Sequence, residues 1–65
     1  MRIDRVKLIT EMARQDMTVV RMAEITKLSR ATITGVRGGK KCLDVVGESI
    51  ANALGVEVEK LLEKK

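Results

Sequence analysis

Apolar residues recur along the chain at spacings of three and four with polar residues between them, a period that predicts helices from end to end. A first helix is expected from about Asp4 to Gln15, with Asp4 placed to cap its opening amides. Leu8 and Met12 form its apolar stripe, Ile9 and Ala13 lie beside them, and Val6 extends the stripe backwards; Arg5, Lys7, Glu11 and Arg14 are left to water. Asp16 marks the break. Thr18 opens a second, short helix whose inner face is Met22, Ala23 and Thr26, with Val19 or Val20 adding a contact. Lys27 and Leu28 make the next turn, and Leu28 is expected to plug into the core. Ser29 caps a third helix that continues through Val36, and Gly38 to Lys41 form a loop. A fourth helix, capped by Asp44, runs to about Leu54 with Val46, Ile50, Ala51 and Leu54 inward and Gly55 as its left-handed end. A last short helix from about Glu57 to Lys64 carries Val58, Leu61 and Leu62. The fold class is therefore all-α, a compact bundle of about five short helices forming one domain over residues 1–65.

The third helix stands apart from the others. Only Ile33 and Val36 are large and apolar, three residues apart, so one narrow edge faces the core. Thr32, Thr34 and Gly35 weaken it by about 0.5–1 kcal/mol each relative to alanine. Folding alone does not select that composition, whereas a surface that another molecule must approach closely does. Charge singles out the same place. Overall the chain carries 13 basic and 9 acidic residues, a net charge of +4. Between Ile25 and Leu43 there are five basic residues (Lys27, Arg30, Arg37, Lys40, Lys41) and no acidic one. Residues 1–24 balance to +1 and residues 44–65 to −2. A basic stretch centred on the most polar helix is the footprint expected for a phosphate backbone.

Composition disfavours other classes. With no histidine and one cysteine, Cys42, the sequence supplies no His-based general base, no Cys/His metal cluster and no Cys–His nucleophile pair, so no enzyme activity and no cofactor are expected. The carboxylates sit at helical spacing beside basic residues and read as solvated ion pairs. Gly35, Gly38 and Gly39 before Lys40 and Lys41 lack the preceding strand and the spacing of a phosphate loop. No aromatic ring is present to stack on bases, which disfavours single-stranded nucleic acid. Cys42 cannot form an intrachain disulfide, Met1 to Asp4 do not open a signal peptide, and no apolar run approaches a membrane span; a cytoplasmic protein is expected. Met12, Met17 and Met22 read as core filling, and Cys42 as a structural or partly exposed loop residue.

The stretch Met17-Thr18, Met22-Ala23, Leu28-Ser29-Arg30, Thr32-Ile33, Val36 and Gly39-Lys40, followed by Ile50 to Val56 and Leu61-Leu62, resembles the Cro and lambda-repressor type of helix-turn-helix, the XRE family. The resemblance covers about Val6 to Leu62, and the order and spacing of its pieces are specific. It implies a bundle of about five helices with the helix-turn-helix over residues 18–37, sequence-specific binding to double-stranded DNA, and a homodimer on a palindromic site. It also implies that Ala23 lets helices two and three approach, that Leu28, Ile33 and Val36 fix the angle between them, and that Ser29, Arg30, Ala31, Thr32, Thr34 and Gly35 occupy the recognition helix. Arg30 is the first choice to read a base, through two hydrogen bonds to guanine. Thr32 and Thr34 would meet a thymine methyl, a base edge or a phosphate, Ala31 and Gly35 would permit close approach, and Thr18, Arg37, Lys40 and Lys41 would hold phosphates. The sequence departs from the family pattern in having Lys27 where the turn often has glycine, Val19 where helix two often opens with glutamine, and Met12 and Arg37 in place of an Arg–Glu pair.

The expected function is thus a DNA-binding transcriptional regulator, most simply a repressor. The alternative is a protein-interaction module of the same fold, such as an antitoxin or a mobile-element accessory protein, holding a protein partner. The apolar tail Val56, Val58, Leu61 and Leu62 fits either a dimer face or a lid on the small core.

Overall fold

The first helix is built from its ends. In the computed structural model, which describes residues 1–63, α1 spans Arg5–Arg14, and the Asp4 carboxylate accepts from the amides of Val6 at 2.9 Å and Lys7 at 3.1 Å. Leu8 and Met12 are buried as expected. Val6 and Ile9 are not: Val6 is 63% exposed and Ile9 also faces solvent. The cause is angular. At about 100° per residue, Val6 lies roughly 160° around the helix from Leu8. The inner face instead rolls toward Lys7 and Glu11, which are half-buried. That flank is covered from later in the chain, where the Lys7 ammonium donates to the carbonyl of Leu62 at 3.0 Å and the Gln15 side-chain Nε2 donates to that of Leu54 at 2.7 Å.

Helix α2 spans Val19–Thr26, with the Thr18 hydroxyl accepting from the Arg21 amide at 3.0 Å. Met22 is buried; Val19, not Val20, turns partly inward. The turn that follows is left-handed at a lysine: Lys27 sits at φ 64°, ψ 15° and its amide donates to Ala23 at 2.9 Å. Thr26 supports this turn from the side, since its hydroxyl donates to the Met22 carbonyl and accepts from the Leu28 amide. Leu28 packs half-buried against the core.

Helix α3 spans Arg30–Arg37, capped by Ser29, with Ile33 and Val36 buried. Its far end closes through two bonds. Gly39, at φ 96°, donates to Val36 at 2.9 Å, and Lys40 donates to Gly35 at 3.0 Å. This is the paired-bond helix stop that needs a residue free to adopt a positive φ. Helix α4 spans Asp44–Leu54, and here the sequence expectation is corrected. Asp44 is the first helical residue, not the cap; the cap position is Leu43, which offers no side-chain bond. Asp44 instead pairs with the Met1 ammonium at 3.4 Å, a carboxylate at the positive end of the helix dipole. Gly55 ends α4 in the left-handed conformation, as expected.

The last helix is also corrected. Residues Val58–Lys60 form one turn of 3₁₀ helix, and the chain then extends, with Ile3 and Leu62 in a single antiparallel bridge; the expected helix end at Lys64 lies outside the described residues. The Asp4 amide donates to Leu61 at 2.7 Å and the Glu63 amide to Arg2 at 3.2 Å. These bonds satisfy backbone groups ahead of α1 that no helix could serve. They also draw Ile3 fully into the core beside Leu8, Met22, Ile33, Ile50 and Leu61. Among the described residues the architecture is therefore four α-helices and a 3₁₀ turn, with α3 packed on α1 and α2 and α4 packed on α2 and the 3₁₀ turn. Among the described residues no helix is long and apolar enough to cross a membrane.

Candidate nucleic-acid interface

The surface of α3 follows from which edge is buried. With Ile33 and Val36 inward, Arg30, Thr34 and Arg37 share one outward flank at i, i+4 and i+7, and Ala31 and Gly35 share the next stripe. Arg30, Ala31, Thr32, Thr34 and Arg37 are all exposed, as are Lys27, Lys40 and Lys41. None of the five basic residues pairs with a carboxylate among the described residues; the ion pairs there join Met1 to Asp44, Arg14 to Glu11 and Arg21 to Glu24. Five uncompensated positive charges therefore border a helix with no acidic side chain.

Some expected site residues have part of their bonding capacity already engaged. The Ser29 hydroxyl accepts from the Thr32 amide at 3.0 Å and lies 2.8 Å from the Thr32 hydroxyl. One of the two hydroxyl protons is used between them, so Ser29 serves as a helix cap first and an outside contact second. Thr18 accepts one amide and keeps its hydroxyl proton for an outside acceptor. Gly35 is half-buried rather than open. The bond from Lys40 to its carbonyl folds the lysine back, and a Cβ added at Gly35 would lie 3.5 Å from Lys40 Cδ. The lysine stem thus roofs Gly35 while its ammonium stays in water.

One charge joins the cluster that the sequence reading assigned simply to solvent. A Cβ added at Gly39 would lie 3.7 Å from Arg5 Cδ, which places the Arg5 side chain against the end of α3. Arg5 is exposed. It was not legible because 34 positions separate it from Gly39 and only the docking of α1 on α3 joins them. The departure at Met12 and Arg37 has a structural counterpart: Met12 is a core residue and Arg37 is exposed, with no carboxylate partner among the described residues.

One groove borders α3, and another lies between α4 and the 3₁₀ turn. The first, of about 330 Å³, runs between α3 and residues Lys40 to Val46. The other, about 390 Å³, is rimmed by Glu48, Glu57 and Glu59; three carboxylates would repel phosphate. Cys42 is half-buried in the wall of the first groove. Burial pushes its thiol above the usual range, against the lowering effect of the nearby Met1 ammonium, so at neutral pH it is a protonated, weakly nucleophilic group. Among the described residues no three His, Cys, Asp or Glu side chains gather as metal ligands. The chain matches no protein-family model, no curated protein and no solved structure.

Proposed function

We propose that this protein is a transcriptional regulator of the Cro and lambda-repressor type that binds double-stranded DNA in a sequence-specific way, with α3 entering the major groove. The observation that carries the reading is the exposed set Lys27, Arg30, Arg37, Lys40 and Lys41, free of carboxylate partners among the described residues, around a helix whose outward residues are small and polar. Two roles follow from position. Arg30, in the first turn of α3, reads a base edge, with guanine the best match for its two-pronged donor. Arg37, Lys40 and Lys41, at and beyond the other end, grip phosphates, joined by Thr18 and by Arg5. A homodimer would place the two α3 helices in successive major grooves, and occupancy of a promoter would repress transcription.

Selection from random duplexes at two salt concentrations tests the reading. An enriched motif is expected, with affinity falling as salt rises. Four cationic phosphate anchors per subunit, Arg5, Arg37, Lys40 and Lys41, give a slope of log K against log salt of about −3.6 per subunit. No enriched motif, or binding indifferent to salt, refutes it.

A further inference from the structure

The groove beside α3 is explained by neither folding nor phosphate binding. Ala31, Thr32 and Val36 line it on one side and Leu43 and Val46 on the other, while Lys40 and Lys41 stand at its rim. Its least expected member is Leu43, which is 72% exposed and occupies the cap position of α4 without capping it. Serine or aspartate there would satisfy an open amide. Leucine satisfies none and leaves its apolar surface in water, so neither capping nor burial accounts for it.

An apolar notch with a cationic rim, opening alongside the outward stripe of a recognition helix, suits one feature of duplex DNA. The rim lysines match the phosphate backbone in charge. In the major groove, the only apolar group that the edges of the unmodified base pairs present is the thymine 5-methyl. The Thr32 hydroxyl lies 2.8 Å from that of Ser29, which takes up part of its bonding capacity. We infer that the notch between Ala31 and Leu43 receives the 5-methyl group of a thymine, so that α3 reads T·A at one position of each half-site by apolar contact. This rests on the DNA-binding reading above and adds a second, hydrogen-bond-free specificity element to Arg30.

The test uses the whole chain and the duplex enriched by selection. Each thymine is replaced in turn by uracil, which removes the methyl and keeps every hydrogen-bonding group. Affinity is expected to fall about fourfold at one position per half-site, the worth of one buried methyl, and to hold elsewhere. Leu43→Ser, checked for its thermal transition, is expected to bind the thymine and uracil duplexes equally. Rebuilding the sensitive pair as C·G and as 5-methylcytosine·G separates methyl from base pair, with unmodified cytosine the weakest. Uracil tolerated at every position overturns the inference while leaving duplex binding intact. Discrimination that survives in Leu43→Ser moves the methyl away from this notch and overturns it as well. Tighter binding of 5-methylcytosine than of thymine overturns the assignment to thymine. Absence of any enriched duplex removes the proposed function and the inference together.

Discussion

Lys27 holds a left-handed conformation, φ 64° and ψ 15°, at the end of α2. A side chain with a Cβ costs about 1–2 kcal/mol in that region. Glycine would remove the cost but would loosen the unfolded chain by roughly 0.5–1 kcal/mol. Lys27→Gly is therefore expected to raise stability by about 0.5–1 kcal/mol, or about 2–8 °C in Tm for a domain of this size. The lysine is exposed and has no carboxylate partner among the described residues, so no ion pair is lost to offset the gain. Urea titration with unchanged slope measures the difference directly. The same variant, if Lys27 serves the backbone grip, weakens all duplexes alike and lowers the salt slope. A fall in Tm would refute the strain argument and mean that the lysine stem, or a different turn, supports the helix junction.

Three further outcomes follow from single positions. Leu43→Ser should raise stability by about 1 kcal/mol by supplying the missing cap of α4, measured by thermal melting; no gain would mean that the leucine packs more than its exposure implies. Ile3→Ala should cost about 2–5 kcal/mol by emptying a fully buried site, close to the whole stability of a domain this small, and a loss under about 1 kcal/mol in urea would show that the Ile3–Leu62 bridge is not a fixed part of the fold. Arg30→Ala should relax preference at one base pair, by about 1–3 kcal/mol, whereas Lys40→Ala should weaken every sequence similarly and reduce the salt slope by about 1; identical effects in a binding titration would refute the division of roles.

Most of the helices were legible because their signals are local. Asp4, Thr18 and Ser29 announce three caps, and each bonds the amide its position requires. Gly55 announces a stop. The misreadings arise where the decisive partner is distant in sequence. Asp44 has the chemistry of a cap, yet the chain enters α4 one residue earlier and the carboxylate is taken by the Met1 ammonium. Val58, Leu61 and Leu62 have helical spacing, yet the helix stops after one 3₁₀ turn: the Leu61 carbonyl accepts from Asp4 and Leu62 bridges Ile3. That segment did carry a signal: Met1, Arg2, Ile3 and Asp4 alternate apolar and polar, a period of two, with Ile3 inward and Arg2 outward. Four residues are too few for such a pattern to outweigh the helical period that follows. At the site, the cluster of basic positions was legible in one dimension; the roof of Lys40 over Gly35 and the approach of Arg5 needed the third.

That roof sharpens what Gly35 is for. Its backbone is helical, so no positive φ requires glycine there. A Cβ would meet only Lys40, at 3.5 Å from Cδ and 4.0 Å from Cβ, which is ordinary contact. By helix propensity, Gly35→Ala should therefore stabilise α3 by about 0.8–1 kcal/mol, and the added methyl would also pack against the lysine stem. A position where alanine fits and improves the fold, but glycine is present, points to a constraint outside folding. In the proposed complex that constraint is the distance between the α3 backbone and the base edges, with the flexible Lys40 stem swung off Gly35 onto a phosphate. Gly35→Ala is then expected to raise Tm and to weaken binding to the selected duplex. The Lys40 phosphate contact need not be lost, because the stem is flexible, so the salt slope should stay near that of the parent chain. Higher Tm with unchanged affinity would show that the outer face of α3 has room to spare at residue 35, and close approach there would no longer account for the glycine. Higher Tm with a reduced slope would instead trace the effect to displacement of Lys40.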